Sequence, residues 1–115
     1  MSAGFNQVII FGQLSDIPEE FKTKNDKLFI KAKITVLMHR KNADGTSENE
    51  KYVIVATMFS GAAELFLKCV RVGDMVHLVG KLDSIERVRP GGKKYWSLNF
   101  VAEHICLLPR AEWRQ

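Results

Sequence analysis

Cysteine is scarce in this chain, with two thiols in 115 residues, Cys69 and Cys106. That is too few for a disulfide scaffold, and neither sits at a C-x-x-C or other metal spacing. Both lie in apolar runs and are expected as reduced, buried small hydrophobes. His39, His77 and His104 are far apart, lack any ligand spacing and are expected at the surface. No apolar run approaches the ~18 residues that a membrane helix needs. The opening MSAGFNQVII has neither the basic region nor the small-residue cleavage site of a secretory signal, so a cytoplasmic chain without membrane contact is expected. Catalytic motifs are missing as well. Gly91 and Gly92 precede Lys93 and Lys94, but without P-loop spacing or a following helix to hold a phosphate. A protein that is not an enzyme, with no catalytic residue, metal or cofactor, is the expectation. With no low-complexity tract or linker, the chain reads as a single domain over residues 1–109 and a short tail over 110–115, large enough for one core.

What is present is organised around Met58 to Leu82. Ala62 to Val70 is apolar at seven of nine positions, too many for one stripe on an exposed helix, so this helix must plug something. Ser60 or Gly61 supplies its start signal and Gly73 its stop. Beyond it Val76, Leu78, Gly80 and Leu82 alternate with His77 and Lys81, the period of a half-buried strand. The same pattern stands at the beginning of the chain, where Val8, Ile10, Gly12 and Leu14 share a face. V-I-I-F-G-Q-L and V-H-L-V-G-K-L carry their glycine at the same place. Glycine inside a strand weakens it unless the strand must bend or another backbone must come close, as in a small closed barrel.

The remaining segments read as strands and loops. Ser15 to Asp26, with Pro18 and the Asn25-Asp26 pair, is expected as a loop. A strand from Lys27 to Met38 turns Ile30, Ala32, Ile34 and Val36 one way and Phe29, Lys31, Lys33 and Thr35 the other. His39 to Lys51 is polar, contains Asp44-Gly45 and is expected as a long, mobile hairpin loop. Tyr52 to Phe59 returns as a strand. Asp83 to Lys94, punctuated by Pro90, Gly91 and Gly92, is expected as another loop, rich in Arg87, Arg89, Lys93 and Lys94. Tyr95 to Leu108 forms the last strand, with Trp96, Leu98 and Phe100 on one face; Trp96 is expected in the core. Trp113, in the tail, has no assignable role.

Strands on either side of one inserted helix give the order of the OB-fold, a five-stranded Greek-key barrel: an all-β protein with one helix. At the residue level, Phe5 to Leu108 resembles the bacterial single-stranded DNA-binding protein (SSB) family. The likeness lies in N-Q-V-I-I-F-G-Q-L, A-K-I-T-V, M-F-S-G-A-A-E-L-F-L-K and V-R-V-G-D-M-V-H-L-V-G-K-L. The resemblance implies a homodimer or homotetramer on which single-stranded DNA wraps, with bases stacked on aromatics and phosphates held by Lys and Arg. It implies that Phe59 is a stacking phenylalanine. The family's three stacking tryptophans fall near Asn42, at Val53 beside Tyr52, and at Arg87, so two platforms are replaced and Tyr52 is a candidate for the other. The end, A-E-W-R-Q, is unlike the family's acidic partner-recruiting tip. Either that role is absent or its segment lies outside this sequence.

The formal charge of +4 and pI near 9.2 favour a polyanionic partner without defining one. Position is more informative. Phe29, Tyr52, Phe59 and Tyr95 are the aromatics that could stack on bases, and Lys31, Lys33, Arg87, Arg89, Lys93 and Lys94 the cations that could hold phosphates. Non-sequence-specific binding of single-stranded DNA in replication, recombination or repair is the function this pattern supports. The alternative is a protein-interaction module like primosomal replication protein B, a smaller relative with few stacking aromatics. Such a module would dock replication or primosome proteins, with DNA contact secondary.

Overall fold

The computed structural model describes residues 4–109; Trp113 and the remaining tail residues lie outside them. The chain runs β1 (Val8–Leu14), β2 (Glu19–Lys22), β3 (Leu28–Lys41), β4 (Ser47–Phe59), α1 (Ser60–Cys69), β5 (Met75–Val88) and β6 (Lys94–Leu107). The strands form one sheet in the order β1-β5-β6-β4-β3-β2, and a further pairing of β1 with β3 closes five of them into a barrel. All pairs are antiparallel except β4 with β6, where Ala56 lies beside Phe100 and Thr57 beside Val101. The repeated segments face each other, Val8 opposite Gly80 and Gly12 opposite Val76. A Cβ on Gly12 would fall 2.5 Å from the Thr35 carbonyl oxygen, so this glycine is required by close backbone approach.

Alternation builds the core. Ile30, Ala32 and Ile34 of β3, Ala56 and Met58 of β4, and Val76 and Leu78 of β5 are all fully buried. Phe66 of α1 is also fully buried, and Ala63 and Phe66 seat the helix on the barrel. Such burial of one phenylalanine contributes about 1.5–3 kcal/mol. The helix does not start on a side-chain cap as expected. Phe59 is its N-cap, makes no such bond, and the chain turns directly from strand to helix through Ser60 at φ 47°. Nor does Gly73 stop it. The helix ends at Cys69, and Gly73, at φ 98°, serves the turn of Arg71 to Asp74 that is pinned to Leu14 of β1.

Several expectations need correction. The segment read as a loop from Ser15 to Asp26 contains β2, which pairs with β3 so that Phe21 lies opposite Phe29. The 39–51 stretch is mostly strand, because β3 and β4 continue in unbroken register to Lys41 opposite Ser47 and leave only residues 42–46 to the turn. Asp83 to Lys94 is likewise mostly strand, pairing until Val88 lies opposite Lys94. Trp96 is 68% exposed and Leu98 69%, since this hairpin runs beyond the barrel and its inward face meets no opposing layer. Cys69 and Cys106 form no disulfide, as expected, but both are exposed rather than buried. His77 is half-buried, whereas His39 and His104 are exposed.

Candidate nucleic-acid interface

One face of the sheet carries the candidate site. Pairing places Phe21 of β2, Phe29 of β3 and Phe59 of β4 in a row across three strands. Their rings stack, Phe21 on Phe29 at 5.1 Å between centroids and Phe29 on Phe59 at 5.6 Å, with interplanar angles of 18° and 30°. Phe59 remains 45% exposed, and Phe21 and Phe29 are half-buried. Lys31, two residues along β3, holds its ammonium 5.5 Å from the Phe21 ring centre. Lys33 follows on the same face, exposed to solvent, opposite Val55. At Val53, one of the three positions where the resembled family stacks tryptophan, this face offers an exposed valine, with Val55 exposed beside it.

The same face continues on the β5–β6 hairpin. Thr57 is buried there and donates from Oγ1 to Asn99 Oδ1 at 2.9 Å, joining β4 to β6. Arg87 lies opposite Tyr95. The Arg89 guanidinium covers the Tyr95 ring at 4.7 Å, and backbone bonds from Arg89 to Lys93 and from Gly92 to Arg89 tighten the turn. Each cation is attracted to the ring face beneath it by the ring quadrupole.

Two of the candidates stand elsewhere. Tyr52 shares its face with Ile54 and Ala56, the opposite side of β4 from Phe59, and its hydroxyl donates to Glu50 Oε2. That hydroxyl and, after it, Arg40 hold the Glu50 carboxyl below its ordinary range, and the carboxylate in turn raises the Tyr52 phenol. Lys94 lies on the reverse face of its hairpin with Trp96 and pairs with Glu86 at 3.4 Å. Phe21 escaped sequence reasoning because β2 was read as loop. Its signal was the Asn25-Asp26 pair, which marks the turn of a hairpin, with Asp26 at φ 61°. Among the described residues no three His, Cys, Asp or Glu side chains could hold a metal, and no helix is long and apolar enough to cross a membrane.

Five strands closing in this order, with one parallel pair and a helix between the third and fourth barrel strands, define an OB-fold with an aromatic and basic face. A profile of the single-strand binding protein family matches residues 5–108, and the chain belongs to that family. It is 27% identical over 100 residues to the single-stranded DNA-binding protein of Malacoplasma penetrans, a match that covers 87% of this chain and 50% of that protein. The chain thus spans half the length of this curated relative. Among solved structures, a deletion mutant of the Thermus aquaticus single-stranded DNA binding protein superposes with a TM-score of 0.82 at 20% identity, covering 96% of this chain and 53% of that one. The Plasmodium falciparum SSB, in complex with single-stranded DNA, superposes with a TM-score of 0.81 at 10% identity, covering 95% of this chain and 99% of that one.

Proposed function

We propose that this protein binds single-stranded DNA without reading its sequence, coating strands exposed in replication, recombination or repair. The observation that carries this is the row of rings from Phe21 through Phe29 to Phe59, on the face that also presents Lys31 and Lys33. Every base has a π-face, so a stacking row is indifferent to sequence, and each stack is worth ~1–3 kcal/mol. Lys31, Lys33, Arg87, Arg89 and Lys93 are the cations for the phosphates along the same face. Tyr52 and Lys94, on opposite faces of their hairpins, are left out of the path. A docking module with secondary DNA contact would need no such row, which favours the coating reading.

Rings and cations should fail differently. Phe59→Ala should weaken oligo(dT) binding by ~1–3 kcal/mol with an unchanged salt slope, because stacking releases no counterions. Replacing Lys31 and Lys33 by Ala should flatten the slope by roughly 0.7 for every phosphate that the two lysines neutralise. If both variants keep native affinity at low salt, the reading fails and partner docking replaces it.

The protein is also proposed to self-associate into a dimer or tetramer. Ile9 is 59% exposed and Phe11 48% on the outer side of β1, whose second edge pairs with β3 only at Gln13 and Leu14. An apolar strand with an open edge is a pairing surface. Sedimentation at micromolar concentration should return a multiple of 13.1 kDa; a strictly monomeric mass would remove this element.

A further inference from the structure

The aromatic row ends at a cleft. Going across the sheet from β3 to β4, the next strands are β6 and then β5, and a cavity of about 390 Å³ opens there beside Phe59. Phe29 stacks on the Phe59 ring, and Phe59 but not Phe29 lines the cleft. Its floor and walls include Val101 and Ala62, and its rim carries Lys81, Asp83 and Glu103. Among the described residues these three charged side chains take part in no ion pair or side-chain hydrogen bond. With a water's share of the liquid at about 30 Å³, the cleft has room for roughly a dozen waters, enough space for a planar heterocycle.

We propose that this cleft is a base slot, in which one nucleobase of the bound strand becomes the next member of the stacked row and is read at its hydrogen-bonding edge. The inference rests on the single-stranded DNA reading above and refines it. Carboxylates only accept hydrogen bonds and an ammonium only donates them. Cytosine's amino group carries two N–H donors, enough for both Asp83 and Glu103, beside a ring-nitrogen acceptor for Lys81. Thymine offers a single N–H flanked by two carbonyl oxygens, so it satisfies one carboxylate and sets a carbonyl oxygen against the other. The slot therefore favours an amino-bearing base over thymine, superimposing a modest preference on otherwise sequence-blind binding.

The test compares oligo(dC) with oligo(dT) of equal length, at pH 8 and fixed salt, on the native chain and on Asp83→Ala/Glu103→Ala. Removing two negative charges strengthens binding of any polyanion, and homopolymers differ in stacking and stiffness. The readout is therefore the ratio of the two affinities. The dC-to-dT ratio should fall about fivefold or more in the double variant, the lower bound for removing one paired hydrogen-bonding interaction with a base edge. Lys81→Met removes a donor that the cytosine ring nitrogen and a thymine carbonyl accept alike, so it should weaken both oligomers and leave the ratio near its native value. A ratio unchanged in the double carboxylate variant, with oligo(dT) binding retained, overturns the slot and leaves the broader reading standing. Failure of the native chain to bind either oligomer overturns both.

Discussion

A methyl group added at Gly80 would collide with the Val101 carbonyl oxygen and lie 2.8 Å from its carbon and 2.9 Å from the Ala102 Cα. These are backbone atoms at the point where β5 and β6 slip register, so the neighbour cannot swing aside. Gly80→Ala should lower stability by about 1–3 kcal/mol or more in chemical denaturation. Gly61 gives the contrast, since it lies in α1 and a Cβ there meets nothing within 4 Å. Gly61→Ala should leave stability unchanged or raise it by about 0.5–1 kcal/mol. Equal behaviour of the two variants would contradict the close-approach explanation. The repeated glycine was legible in the sequence because a costly residue recurred in the same frame. So was the shared face of Phe29, Lys31 and Lys33, because a regular strand fixes parity. Trp96 was not legible, since alternation says which side a residue takes and nothing about whether another layer covers that side.

At the scale of elements, the strands that the sequence hides are polar ones. Hydrophobic period cannot register a hairpin whose inter-strand partners are polar, as in the outer half of β3 and β4. There Arg40 pairs with Glu50 at 2.7 Å, His39 Nδ1 lies 3.1 Å from Asn49 Oδ1, and Asn42 donates to Glu48 at 2.9 Å. These groups hold in register a segment that composition alone marks as loop. The hairpin should consequently respond to pH. Glu50 is depressed in the folded state, first by the Tyr52 hydroxyl and then by Arg40, so its contribution is complete above the ordinary value of 4.5 and disappears as pH falls through the lower folded value. Tyr52, raised above 10.0 by Glu50, contributes below that value and loses its contribution as pH rises through the higher one. Carboxyl NMR should place the Glu50 midpoint below 4.5, and Tyr52→Phe should move it upward. A midpoint at the ordinary value, unmoved by Tyr52→Phe, would show that the pair does not persist in solution.

For the whole molecule, the barrel carries the proposed binding face. Closure by β1 on β3 and the plug of Phe66 hold β3 and β4 rigidly enough that three rings from three strands stack in one row. The extended hairpins carry cations past the ends of that row, and the net charge of +4 adds attraction without selectivity. Duplex DNA presents the same phosphates but keeps its base faces inside the stack, so it can use the cations and not the rings. The most direct measurement is a titration of the native chain with oligo(dT) and with duplex of equal length across a series of salt concentrations. Oligo(dT) should bind more tightly at every salt, with a gap that persists at high salt where phosphate contacts fade and stacking remains. Duplex binding as tight as oligo(dT), or a preference that vanishes as salt rises, would contradict the proposed stacking.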